Sequence, residues 1–409
     1  KESDIKIFRS MERLLLSSEK ITFLNLLRSL PGEVIYVDFD GLIRVASLLK
    51  KELKIQQDLV ANLNNLSEKT NQINIDSKFI GTRVNKYKEI SVNVDHRNDP
   101  LMITFWHPPN NKFNRENLII FMPGLGSDQS HFYWLFRELN YKGWSVLSMH
   151  HPGSDSKSIK DLLDGKLPAP GLEIVPDRVR DVNSILNLIK ENKLDLNAES
   201  IILMGHSLGS LTAFLVSGAV PQNDIQKSCQ GIFADFSLTN LSKLLQCQFD
   251  NFNLPNEIES ENISAIIGLN SFGSILWPYK SSKSTDVPVL LIGGTFDFVT
   301  PAITEQLSLL LSTKENKFSS VLLIEGASHF SSIRVKKKYR NNEGDDIFKI
   351  NKTFIGKDPL TIQKIISTNI IYFLNSFENN KDLPERVKNV SNNVRYHILK
   401  RDTINQLVN

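Results

Sequence analysis

The spacing of apolar positions divides this chain into two regimes. Over residues 1–70 they recur at helical intervals: Ile5, Phe8, Met11 and Leu15, then Ile21, Leu24 and Leu27 as far as the Pro31-Gly32 break. Val45, Leu48, Leu49, Ile55, Leu59, Leu63 and Leu66 predict a further helix. From about residue 86 the pattern changes to short apolar runs separated by helix-like stretches. Glu89–Asp95 and Met102–Trp106 predict a hairpin. Six runs of buried-strand length follow: Leu118–Met122, Ser145–Met149, Ile201–Met204, Ile263–Leu269, Val287–Ile292 and Val321–Ile324. Such alternation predicts an α/β fold, with a mostly parallel eight-stranded sheet covered by helices on both faces. The expected organisation is a small helical N-terminal region at 1–80 and an α/β domain at 81–409, closed by a helix from Pro359 to Phe377 and an Asn- and charge-rich tail.

Two stretches interrupt the alternation. Residues 229–262 carry the apolar cluster Leu241, Leu244, Leu245, Phe249, Phe252 and Leu254, and an insert there can cover a site like a lid. Residues 334–358 begin with Arg334-Val335-Lys336-Lys337-Lys338-Tyr339-Arg340, a run that reads first as a solvated basic loop and secondarily as an anionic-lipid or nucleic-acid contact.

Composition narrows the field. Of 409 residues, 41% are hydrophobic and 23% charged, which suits a chain with a substantial core. A net charge of +3 gives no ground for a nucleic-acid partner. Ile201 to Val220 lacks Asp, Glu, Lys and Arg, but its glycines, His206, Ser207 and Ser210 fit a turn inside a core better than a bilayer span. Metal-ligand spacings such as HExxH or paired CxxC are missing, so neither a metal nor an organic cofactor is expected. Cys229 and Cys247 leave two readings open, one disulfide or two unrelated thiols. The chain begins at Lys1 rather than Met, so we expect residues removed upstream, and an exported, periplasmic or membrane-associated location is favoured over a cytoplasmic one.

The most informative segment is Leu203-Met204-Gly205-His206-Ser207-Leu208-Gly209. It is Gly-x-Ser-x-Gly between a predicted strand and a predicted helix, the context that presents a serine hydroxyl on a sharp bend at a sheet end. The Leu208 N–H opens the helix and can stabilise an oxyanion. A second backbone donor is expected from Phe121-Met122-Pro123-Gly124-Leu125-Gly126-Ser127, with the Leu125 N–H as candidate. A serine needs a base, and His329 directly follows the last predicted strand. The base needs a carboxylate: Asp297 follows the next-to-last strand, while Asp235, in the insert, is the rival. His206, beside the serine, is expected to point away from its hydroxyl.

Pro123-Gly124-Leu125-Gly126, Gly205-His206-Ser207-Leu208-Gly209, Asp297 in Gly-Gly-Thr-Phe-Asp and His329 in Gly-Ala-Ser-His-Phe stand in the order of the motifs of the α/β-hydrolase superfamily, which residues 86–380 resemble. Within it the chain is most similar to bacterial dienelactone hydrolase-like proteins related to platelet-activating-factor acetylhydrolases. The cues are His151-Pro152-Gly153-Ser154-Asp155, Gly294-Thr295-Phe296-Asp297-Phe298-Val299-Thr300-Pro301 and His329-Phe330-Ser331. Those proteins carry an N-terminal helical domain of unknown function, whose end Thr22–Arg28, Pro31-Gly32 and Asp38-Phe39-Asp40 resemble. Two positions depart from these relatives. Ser207 stands where dienelactone hydrolases proper use cysteine, which favours ordinary ester hydrolysis. Leu269-Asn270-Ser271 lacks the earlier acid of the acetylhydrolases, which leaves the acid to Asp297.

The resemblance implies a serine esterase or lipase working through an acyl-enzyme, with catalytic Ser207, Asp297 and His329, the Leu125 and Leu208 N–H groups as oxyanion hole, and an apolar or lipid-like ester substrate. Peripheral membrane contact is compatible with such a substrate. The alternatives are an acyltransferase using the same three residues, or a non-catalytic binding protein on the same fold.

Overall fold

The computed structural model describes residues 39–65, 87–108, 117–166, 173–194, 198–223, 225–230, 240–249, 261–279, 284–333 and 358–408, with isolated positions 171, 196 and 356. The sequence-derived helices before residue 39, Asp235 and most of the basic stretch at 334–358 lie outside the described residues.

Among the described residues ten strands form one sheet: β1 (Lys88–Val92), β2 (Leu101–Trp106), β3 (Asn117–Met122), β4 (Ser145–Met149), β5 (Ser200–His206), β6 (Ile263–Leu269), β7 (Val289–Gly294), β8 (Ser320–Ile324), β9 (Arg386–Ser391) and β10 (Val394–Leu399). Their spatial order is β1-β2-β4-β3-β5-β6-β7-β8-β10-β9. The six from β3 to β8 run parallel, and an antiparallel hairpin closes each edge. The parallel strands are apolar along their whole length because both faces are covered. Leu118, Ile120 and Met122 of β3 enter one core and Ile119 and Phe121 the other.

The first core is roofed by α1 (Phe39–Asn65), α4 (Ile174–Lys190), α5 (Leu208–Val216), α8 (Ser308–Ser312) and α10 (Arg401–Val408); the second by α2 (Tyr133–Tyr141) and α9 (Pro359–Glu378). Shorter helices are α3 (Ser156–Leu163), α6 (Gln226–Cys229) and α7 (Ser242–Gln246). Residues Ile303–Leu307 make a single π-helical turn before α8.

The expected eight-stranded count is thus corrected to ten among the described residues. The extra pair comes from the tail: Val387, Val394, Tyr396 and Ile398 alternate into the second core, while polar residues between them mask the run. Asn392 and Asn393 have φ of 43° and 63°, the left-handed conformation that a two-residue hairpin turn demands and asparagine tolerates. Only α1 of the expected N-terminal helices is described. Its Leu59 and Leu63 are buried in the first core, the Leu63 carbonyl accepts from the Arg386 guanidinium, and Asn64 accepts from Arg395 at 3.1 Å. Those contacts tie this helix to the closing hairpin.

Candidate active site

Five loops leave the carboxyl ends of β3, β5, β6, β7 and β8, the rim where open parallel sheets carry their sites. The loop after β5 is one residue long. Ser207 passes straight from strand to α5 with φ 52° and ψ −117°, a conformation that costs a non-glycine residue of order 1–3 kcal/mol. The turn is possible only because α5 lies almost on the sheet: a Cβ on Gly209 would come within 1.9 Å of the Met122 carbonyl oxygen. Elbow and neighbouring strand are stitched together by the Ser207 N–H, which donates to the Leu269 carbonyl at 2.8 Å.

His329 Nδ1–H donates to Asp297 Oδ2 at 3.0 Å. Asp297 is fully buried and saturated. Its Oδ1 accepts the N–H groups of Val299 and Thr300, each at 2.8 Å, and its Oδ2 also accepts Asn270 Nδ2 at 2.8 Å and the Thr300 hydroxyl at 2.7 Å. Burial, the largest influence, would raise this carboxyl. The charge and hydrogen bond of His329 and the bonds from Thr300 outweigh it, and the group is held below the usual carboxylate range. With Nδ1 donating, the His329 Nε2 is the acceptor. Its loop is held against the elbow by His206, whose Nε2–H donates to the His329 carbonyl at 3.1 Å; the two rings lie 5.0 Å apart. Burial, then the neighbouring His329, pushes His206 down to about 3, so it stays neutral.

Ser207, His329, Leu125 and Leu208 line one cavity of about 440 Å³. Asp297 sits behind the imidazole and does not reach it. The rest of the wall is apolar or neutral polar, with Ile159, Leu244, Phe272, Val299 and Ile333 among the apolar contributors. Part of the wall is the described stretch of the insert: Leu241, Leu244 and Leu245 face the cavity, while Phe252 and Leu254 lie outside the described residues. Cys229 and Cys247 are disulfide-bonded, which decides between the two readings and pins this stretch to α6. A second anchor is Glu305 on the π-helical turn. It is fully buried and accepts from Asn240 at 2.6 Å, Gln246 at 3.3 Å, the N–H groups of Gly273 and Ser274 at 3.0 and 3.2 Å and the Ser274 hydroxyl at 3.0 Å.

The turn Pro123–Gly126 packs so closely on the elbow that a Cβ on Gly124 would stand 2.9 Å from His206 Nδ1. Behind it lies a buried charged network on α4 that the sequence reading did not single out. Arg178 donates to the Pro123 carbonyl at 2.5 Å, the Ser154 hydroxyl at 2.7 Å and the Thr212 hydroxyl at 3.1 Å. Asp181 accepts Arg97 Nε and Nη2, each at 2.7 Å, and His96 Nε2 and His151 Nδ1, each at 2.8 Å. Burial opposes ionisation of Asp181, but these donors hold it well below its ordinary value. Burial lowers Arg178 to about 9, still a cation at neutral pH, and burial with the Arg178 charge lowers His151 to about 3. Asn270 and Thr300, which hold Asp297, were likewise not singled out from the sequence. Among the described residues there is no group of three or more His, Cys, Asp or Glu arranged to hold a metal ion, and no helix long and apolar enough to cross a membrane.

No family model matches the chain. A 107-residue stretch is 26% identical to a Mycoplasma genitalium protein named "Putative esterase/lipase 2", covering 26% of this chain and 34% of that protein. The match therefore spans about a third of that relative's length. Together with the mostly parallel sheet, this distant likeness fits an α/β-hydrolase-like protein.

Proposed function

We propose that the chain is a serine hydrolase of carboxylic esters acting through an acyl-enzyme, and that its substrates are neutral esters with an apolar acyl group. The observation that carries the reading is the junction of Ser207, strained at the β5–α5 bend, with His329 along one cavity and Asp297 hydrogen-bonded behind the imidazole. His329 Nε2 takes the Ser207 proton as the oxygen attacks the ester carbonyl, and Asp297 stabilises the resulting imidazolium. The Leu125 and Leu208 N–H groups receive the oxyanion. The imidazolium protonates the leaving alcohol, then the imidazole activates water to release the acid. The apolar and neutral polar wall favours a neutral acyl chain over the carboxylate-bearing substrates of dienelactone hydrolases. A monoacyl or short-chain lipid ester, as for acetylhydrolase-like relatives, fits that wall.

The test is labelling by a fluorophosphonate together with p-nitrophenyl esters of increasing chain length. Labelling on Ser207, lost in Ser207→Ala and His329→Ala, with turnover of butyryl to octanoyl esters, is the expected result. A folded wild-type protein that neither labels nor turns over esters refutes the reading. Predominant ester exchange with added alcohol reassigns it to acyl transfer.

A further inference from the structure

Two backbone segments carry the candidate donors: the Pro123–Gly126 turn holds the Leu125 N–H, and the first residue of α5 supplies the Leu208 N–H. Gly124 and Gly126 leave the first turn free to rotate its peptide planes, and Gly126 has φ 70°. Gly124 has no room for the Cβ that would restrict it, because His206 and Ser207 occupy that space. The turn must therefore be held from outside. Arg178 grips it at both ends. One guanidinium nitrogen donates to the Pro123 carbonyl at the start; another donates to the hydroxyl of Ser154, whose carbonyl accepts the Gly126 N–H at 2.7 Å at the finish. The third donor, Nε, reaches Thr212 on α5, and that hydroxyl donates to the Leu208 carbonyl at 2.9 Å, in the first turn of the helix. One planar fork thus bonds directly to the backbone that carries the Leu125 N–H and, through the Thr212 hydroxyl, to the one that carries the Leu208 N–H.

We propose that Arg178 is the positioning residue of the oxyanion site, riveting the Pro123–Gly126 turn to the first turn of α5 so that the Leu125 and Leu208 N–H groups point at one place. The proposal rests on the serine-hydrolase reading above. Three features favour it over a plain packing role. Arg178 is almost fully buried, and its three hydrogen bonds go to neutral oxygens, although a buried cation is best served by an anion. Asp181, the nearby carboxylate, spends its hydrogen bonds on Arg97, His96 and His151. The rigid fork matches three acceptors at once, which a lysine cannot do.

The decisive experiment uses Arg178→Gln, Arg178→Lys, Thr212→Val and Ser154→Ala. Active sites are first titrated with a fluorophosphonate; kcat and KM per titrated site are then measured on p-nitrophenyl butyrate, and Ki for a trifluoromethyl ketone whose hemiketal oxyanion needs the same donors. Arg178→Gln is expected to lose about 100-fold in kcat per site with KM little changed, the size expected for one misplaced donor. The ketone is expected to lose affinity by the same factor. Arg178→Lys recovers part of the loss, and Thr212→Val loses several-fold. A packing role would instead lower melting temperature and the titre of sites while leaving kcat per site at the wild-type value; that result overturns the proposal. If Arg178→Gln does not fold, Thr212→Val and Ser154→Ala decide: wild-type kcat and Ki in both overturn it. A wild-type protein without Ser207-dependent turnover fails the hydrolase reading itself, an outcome distinct from active wild type with unaffected variants.

Discussion

Replacing Asp297 by Asn tests how much of the site depends on one carboxylate. In the folded protein its two oxygens accept five hydrogen bonds, two at Oδ1 and three at Oδ2, and every partner uses a donor. An amide carries two hydrogens on one side, so one set of donors must face a donor. The Oδ1 partners are the backbone N–H groups of Val299 and Thr300, which cannot reverse. The Oδ2 partners can: Asn270 can flip its amide, the Thr300 hydroxyl can turn to the Asn270 carbonyl at 3.2 Å, and His329 can move its proton to Nε2. The amide nitrogen therefore takes the Oδ2 side and stabilises the wrong tautomer, with no lone pair left at Nε2 to accept the serine proton. The expected loss is about 10⁴ in kcat, or about 5.4 kcal/mol of barrier, with KM little changed. Stability should fall by only about 1–3 kcal/mol, since the lost bonds are partly replaced. Steady-state kinetics per folded molecule, with urea unfolding in parallel, measure both quantities. Folded Asp297→Asn protein that keeps a tenth of wild-type kcat would refute the assignment of Asp297 as the group that orients His329.

His151 and His206 are each pushed from the usual 6.5 to about 3, so the unfolded chain binds two more protons than the folded one between those values. The contribution of these two histidines is complete above about pH 6.5 and drains as pH falls, by about 2 kcal/mol between pH 6 and 5. His150, raised by Asp155 against its burial, shifts stability only above about pH 6.5, outside this interval. Equal urea midpoints and slopes at pH 6 and 5 would contradict this. Reducing the Cys229–Cys247 bridge, or replacing both by Ser, frees an 18-residue separation and should cost about 3 kcal/mol. Because residues 241–248 form part of the cavity wall, KM for long-chain esters should rise more than KM for acetate. A phosphine-treated sample with unchanged melting and KM would show that the bridge constrains neither.

The parallel strands β3 to β8 were legible because both their faces are buried, which makes each run apolar throughout and easy to bound. The elbow was legible because the contact between α5 and β3 leaves no atom's width for a side chain at 209, so the glycine spacing is forced. β9 and β10 were not, because Lys388, Asn389, Arg395 and His397 break the apolar pattern, and the turn signal Asn392-Asn393 was lost in an Asn-rich tail. Asn270 reaches Asp297 only because β6 and β7 are neighbours, a fact that no local pattern carries, whereas Thr300 caps Asp297 from three residues further along the same loop. Arg178 and Asp181 did leave a signal: they fall on the stripe of α4 shared with Val175, Val179 and Val182, where charge is out of place. The insert illustrates a mixed outcome. Its apolar cluster implied contact with the site, and residues 241–245 make it, but whether one disulfide or two free thiols held it was open until the Cα atoms were placed 5.6 Å apart.

The bond from Arg386 to the carbonyl of Leu63 spans 323 positions of chain. During synthesis, α1 is therefore completed long before its seat exists, and the greasy flank of Leu59 and Leu63 travels without a cover. The outer edge of β8 likewise has no neighbour until residues 394–399 leave the ribosome. Maturation of this fold thus waits on residues 386–399, and a nascent chain stalled before them would present both an apolar helix flank and a bare strand to the chaperones of the cell.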